Sequence, residues 1–154
     1  MRRKDRERDL AFAYEVLDSC EWMALSMTDG AGRPYCVPVQ GVREGDCLYF
    51  HCAREGQKTE CLRARPEVCV TAVSRCEVVP GAFTTAYRSA VAMGRAREVT
   101  GEEERLRALE LLARRYAPED MDRFAAETAR YLPATAVWRI SLEQVTGKAN
   151  EAGD

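Results

Sequence analysis

The sequence predicts a mainly β fold with flanking helices, six antiparallel strands curling into a closed or nearly closed barrel. Three observations predict it. Short stretches alternate apolar and polar residues with a period of two and are separated by glycine-bearing turns, the pattern of an antiparallel meander. The strongly helical stretches lie at the margins of that strand region rather than alternating with it. The Gly-x-Gly-x-x-Gly turn of a dinucleotide-binding parallel sheet is absent.

Residues 5–19 read as a helix, since Leu10, Ala13, Tyr14 and Leu17 recur at three- and four-residue spacing after early acidic residues. Residues 22–28 are strand-like, Asp29-Gly-Ala-Gly32 is a turn, and residues 33–42 form a second strand. Pro38 confines that strand to an edge or bulge, because it cannot donate to the ladder. A turn at Glu44-Gly-Asp46 leads to a third strand at 47–52. A short helix at 57–64 is stopped by Pro66. Strands at 67–74 and 85–99 are separated by Pro80-Gly81, and Gly94 marks a bulge or barrel corner in the longer one. Residues 101–116 are the clearest helix, with Leu106, Leu109, Leu112, Ala113 and Tyr116 as a stripe and three glutamates at the positive end of the dipole. A further helical piece covers 118–130. The last strand, 135–145, alternates Trp138, Ile140 and Leu142 with Arg139, Ser141 and Glu143. Closing such strands into a barrel removes exposed edges.

A chain of 154 residues suits one domain, expected to span residues 1–154. The net charge of −2 points away from a dedicated nucleic-acid binder. The opening Met1-Arg-Arg-Lys4 lacks the apolar stretch of a signal peptide, and no run is long enough to span a membrane, so a cytoplasmic protein is expected. Seven cysteines without a Cys-x-x-Cys pair, and His51 as the sole histidine, give poor material for a metal site; no metal is expected. The cysteines read as reduced, small buried hydrophobes. Ser89 has no histidine or acid at recognisable spacing, so it is not read as a nucleophile. Trp22 and Trp138 are read as core.

The run Leu48-Tyr-Phe-His-Cys-Ala-Arg-Glu-Gly-Gln-Lys58 carries the chemistry. A strand ends, Gly56 permits a close backbone approach, and Gln57-Lys58 open a helix whose unsatisfied N–H groups and positive dipole end suit an anion. Arg54 and His51 are further possible donors. The plain alternative is a helix that merely follows a strand, with Lys58 in solvent. His51 shares a strand face with Cys47 and Tyr49, opposite Leu48 and Phe50.

This run resembles the central motif of the pyridoxamine 5′-phosphate oxidase-like flavoproteins, in particular the nitroimidazole-resistance (Nim) branch. The opening Met1-Arg-Arg-Lys-Asp-Arg6, Gly32-Arg-Pro-Tyr-Cys-Val-Pro38, Tyr87-Arg-Ser89 leading to Gly94, and Thr146-Gly-Lys148 resemble that branch in the same order. The resemblance implies a six-stranded antiparallel split β-barrel (the FMN-binding split barrel) that forms a homodimer, with FMN in two clefts between the subunits. It implies that Lys58, with Ala53, Gly56 and Gln57 at the helix start, holds the phosphate. Pro38, Val39 and Gln40 would run along the isoalloxazine edge, with Phe50 and His51 beside the cofactor and Tyr87 and Ser89 supplied from the long strand. His51 would face the flavin or the substrate, and Lys148 is either a tail lysine or reaches the cofactor across the dimer. The implied activity is an FMN-dependent reduction of nitroaromatic compounds such as 5-nitroimidazoles. The alternatives are a flavin- or haem-binding carrier or sensor, with His51 the sole histidine able to ligate iron, and a deazaflavin-dependent reductase. Gln40-Gly41 stands where Asn and an aromatic are common, and Cys52 where serine is common. The arginine-rich phosphate clamp of true pyridoxamine-phosphate oxidases is not recognisable, so vitamin B6 oxidation is not expected.

Overall fold

The computed structural model describes residues 2–151; Met1 of the opening motif and residues 152–154 of the expected domain lie outside the described residues. A two-residue strand, β1 (Glu7–Arg8), precedes helix α1 (Leu10–Ser19). Four strands follow: β2 (Met23–Thr28), β3 (Pro34–Val39), β4 (Gly41–Glu44) and β5 (Cys47–Ala53). Helix α2 (Gln57–Ala64) leads into the long hairpin of β6 (Glu67–Val79) and β7 (Thr84–Glu98). Helices α3 (Glu102–Tyr116) and α4 (Phe124–Tyr131) are joined by a 3-10 stretch at Pro118–Arg123, and β8 (Thr135–Asn150) completes the sheet.

All pairings are antiparallel, in the order β3-β2-β6-β7-β8-β5-β4, with β1 added beside β8. The mainly β, antiparallel barrel fold is thus present, with eight strands rather than six. The expected 33–42 strand divides at Gln40: Val39 still pairs with Met23 on one edge, while Gly41 pairs with Phe50 on the other. One residue therefore joins the two edges of the sheet. The sheet must curl until those edges meet at Gln40, yet β3 and β4 share no ladder, so the barrel stays open along that seam. Pro38 lies on the edge strand its missing N–H requires.

Other boundaries move for identifiable reasons. The first helix starts at Leu10, not residue 5, because the Asp9 carboxylate accepts from the Phe12 N–H (2.8 Å) as an N-cap. Residues 7–8 are instead held extended by Lys148 and Gly147 of β8. β6 runs past Ser74 through a register shift between Val73 and Arg75, which breaks the alternation. The expected shift at Gly94 is present. There a Cβ would stand 2.3 Å from the Ser141 carbonyl oxygen, so only glycine fits. The 118–130 helix divides into the 3-10 stretch and α4.

The barrel interior is filled by Leu25, Phe50, Val70, Ala92, Trp138 and Ile140, with α1 (Ala13, Val16, Leu17) and α2 (Cys61, Leu62) closing it. A second cluster lies outside the barrel, where α3 sets Ala108 and Leu112 against Val42, Cys47, Tyr49, Val99 and Val137. β5 is consequently buried on both faces until His51. Trp138 is core as expected, whereas Trp22 is 57% exposed: Met23 takes the first inward position of β2 and turns its neighbour outward. The cysteines are free thiols; Cys20, Cys47 and Cys61 are buried, Cys52 and Cys69 half-buried, and Cys36 and Cys76 exposed, so burial holds for part of the set. Among the described residues no helix is long and apolar enough to cross a membrane.

Candidate functional site

The end of β5 and the start of α2 form a cradle. Ala53 is exposed at the strand end, and Gly56 is the N-cap of α2 with φ +119° and ψ 170°, a conformation open essentially to glycine alone. Among the described residues no atom beyond the two flanking residues lies within 4 Å of the position a Gly56 Cβ would take, so the space above it is open. No side chain caps α2, in contrast to Asp9 on α1. The first-turn amides of Gln57, Lys58 and Thr59 keep their donor capacity. The turn is fixed from behind, since the buried Thr59 hydroxyl donates to the Gly56 carbonyl (2.7 Å) and Arg63 joins Glu98 of β7 (2.8 Å). Lys58 is half-buried, with its Nζ 5.8 Å from the Phe50 ring centroid, and makes no ion pair among the described residues. Arg54, in contrast, donates to the Pro133 carbonyl (3.1 Å) and is held away from the cradle.

His51 lies between this cradle and a cavity of about 510 Å³ beneath α3 and α4. The cavity walls include Leu109, Leu112, Tyr116, Phe124 and Tyr131, with Gln40 and His51 at its polar side. His51 keeps a solvent-open edge, but the surrounding protein disfavours the imidazolium, and the Lys58 ammonium adds to this. Its pKa therefore falls below the ordinary histidine value, and the ring is neutral at pH 7. Burial pushes the Cys52 thiol up against the opposing influence of Lys58, which keeps it protonated.

The structure thus brings Gln40, His51, Ala53, Gly56, Gln57 and Lys58 to one region. Val39 and Phe50 point their side chains into the barrel core, and Pro38 is exposed on the edge strand. Tyr87 and Ser89 are elsewhere: Ser89 pairs with Lys148 and its hydroxyl donates to the Lys148 carbonyl (3.3 Å), while Ala53 pairs with Thr135 at the other end of β8. Lys148 lies within β8, half-buried, with its Nζ 5.4 Å from the Tyr87 ring. Among the described residues the buried Tyr87 hydroxyl makes no hydrogen bond.

Sequence reasoning missed Arg115 and the role of Tyr116. The Arg115 guanidinium donates to the carbonyls of Gly41 (2.9 Å), Leu17 (3.1 Å) and Cys20 (2.7 Å), and the Tyr116 hydroxyl also donates to Gly41 (2.8 Å). These bonds tie the end of α3 to the seam immediately after Gln40. Tyr116 was visible as part of a stripe, but nothing local in the sequence marks its partner 75 residues away.

The sequence model of the pyridoxamine 5′-phosphate oxidase family matches residues 9–149. No curated protein matches the chain. Among solved structures, a candidate 5-nitroimidazole antibiotic resistance protein from Bacteroides thetaiotaomicron is 26% identical, with a TM-score of 0.78 over 94% of this chain and 89% of that one. A flavocytochrome from Azotobacter vinelandii superposes with a TM-score of 0.81 at 22% identity, over 99% of this chain and 72% of the other. A FAD- and haem-binding protein from Mycobacterium smegmatis does so with a TM-score of 0.80 at 19% identity, over 96% and 74%. The latter two show the shared fold. With the family match running from the cap of α1 to the end of β8, the chain belongs to the pyridoxamine 5′-phosphate oxidase family.

Proposed function

We propose that the chain is an FMN-binding oxidoreductase that reduces nitroaromatic compounds, and that it works as a homodimer. The observation that carries this reading is the uncapped start of α2: free amides, a left-handed Gly56 and a Lys58 without an ion pair among the described residues converge beside His51 and an apolar cavity. Such a cradle matches a phosphate monoester, and family membership and the nitroimidazole-resistance neighbour point the same way.

Lys58 and the α2 amides would hold the phosphate. Gln40, on the seam fixed by Arg115 and Tyr116, would lie along the ring edge. A flavin bound there supplies the electrons, as a hydride or in paired steps. His51, kept neutral, can donate one hydrogen bond and accept another without adding charge. Helices α3 and α4 would flank the reacting face.

Two features support the homodimer. Ser89 and Ala53 pair with positions thirteen residues apart on β8, about 43 Å of strand contour, so Tyr87 and Ser89 reach a Lys58 cradle most directly on a second copy. Trp22 (57% exposed), Val73 (46%) and Met93 (46%) also leave apolar surface on the uncovered side of β2, β6 and β7, which a second copy would bury. Purified protein loaded with FMN, reduced anaerobically with dithionite and mixed with a 5-nitroimidazole, should reoxidise its flavin while the nitro absorbance falls. A protein that binds no flavin, or a reduced flavin that persists, overturns the reading.

A further inference from the structure

Helix α4 buries none of its residues, although Phe124, Thr128 and Tyr131 lie along one side of it. That side is only partly covered by protein, with Phe124 and Thr128 half-buried and Tyr131 exposed. It faces Leu109, Leu112 and Ala113 of α3 across the 510 Å³ cavity, a size typical of small-molecule sites. The polar groups are few. Among the described residues neither the His51 ring nor the Gln40 carboxamide makes a hydrogen bond. Among the described residues no lysine or arginine lines the cavity, and the one acid there, Glu127, is already engaged by Arg123 (3.1 Å).

We propose that this cavity binds an uncharged, flat aromatic molecule of one or two fused rings, oriented by a hydrogen-bond acceptor directed at His51, and that it rejects aromatic anions. The flat walls of Phe124, Tyr116 and Tyr131 suit ring faces. A neutral His51 offers one N–H to a nitro or ring-nitrogen acceptor but no positive charge. A carboxylate entering here would lose its hydration with no cation in the lining to compensate, since Lys58 belongs to the cradle on the other side of His51. That this guest is the reducible substrate rests on the reductase reading; the binding itself does not.

The test is isothermal titration of flavin-free protein, and of protein saturated with FMN, with 4-nitrobenzyl alcohol and with 4-nitrobenzoate, which share ring and nitro group but differ in charge. The expected result is saturable binding of one alcohol per chain in both preparations, with the benzoate at least tenfold weaker. Ala113→Trp, which fills the cavity, should abolish alcohol binding; circular dichroism and melting report whether it folds, and His51→Ala gives a second arm with at least fivefold weaker binding. Equal affinity for the two compounds overturns the proposal, as does binding unchanged in Ala113→Trp or, should that variant not fold, unchanged in His51→Ala. Displacement of the alcohol by FMN also overturns it, because the cavity would then be the flavin's own ring slot. Failure of the flavin reading is separate: FMN then does not bind, while the alcohol does.

Discussion

Arg115→Met tests how the seam of the barrel is held. The guanidinium donates to three backbone carbonyls, two at the C-terminal end of α1 and one at Gly41 beside Gln40. Its positive charge also faces the negative end of the α1 dipole. Methionine keeps most of the aliphatic packing and removes all three donors. Each carbonyl left without its partner costs about 1 kcal/mol where water still has some access, at the low end of the usual penalty, so the variant should lose roughly 3 kcal/mol. In a chain of this size that corresponds to a fall in Tm of about 6–12 °C. Urea unfolding followed by circular dichroism gives the free energy, and a thermal scan gives the midpoint. Arg115→Lys, with one ammonium in place of a planar fork, should recover only part of the loss. A methionine variant within about 0.5 kcal/mol of the parent, below the effect of even one such bond, would refute the clamp, as would full recovery by lysine.

Three further outcomes follow from the same geometry. Gly94→Ala places a methyl group against the Ser141 carbonyl and should cost about 2–4 kcal/mol by parting β7 from β8, whereas Gly101→Ala, with open space around it, should be near neutral; paired urea curves decide this. Gly56→Ala puts a side chain on a backbone with φ +119° and should cost about 1–3 kcal/mol together with weaker flavin binding, read by urea unfolding and absorbance titration. The His51 pKa is lowered in the folded chain, so the unfolded chain takes up the proton first as pH falls. The resulting stabilisation is complete above pH 6.5 and disappears as pH drops through the folded pKa; His51→Gln should flatten that slope between pH 7.5 and 5, and parallel curves would contradict it.

Much of the fold was legible because period-two alternation and glycine-bearing turns are local signals. Pro38 correctly marked an edge strand, and Gly94 a shift in register. The misplacements lie where distant partners decide. Residues 7–8 are extended because β8 holds them, and β8 itself continues to Asn150 because β7 pairs with it there. The division of the 33–42 strand follows from closure of the whole sheet at Gln40, which no window of sequence contains. In the candidate site, the helix start at Gly56-Gln57-Lys58 was readable from the glycine and the helical residues after it. The opposite orientations of Phe50 and His51 followed from strand alternation. The cavity was not readable, because it arises from how α3 and α4 stand over β5. Nor was the exposure of Trp22, since aromatic character says nothing about which way the first residue before a strand turns.

The most direct test of the phosphate cradle compares FMN with riboflavin, which lacks only the phosphate, in the parent protein and in Lys58→Gln, by equilibrium absorbance titration. The cradle predicts that the parent prefers FMN and that Lys58→Gln loses about 1.5–3 kcal/mol of FMN affinity, roughly 10- to 150-fold, with riboflavin affinity unchanged. Equal affinity for the two flavins in the parent, or equal losses for both in the variant, would contradict it.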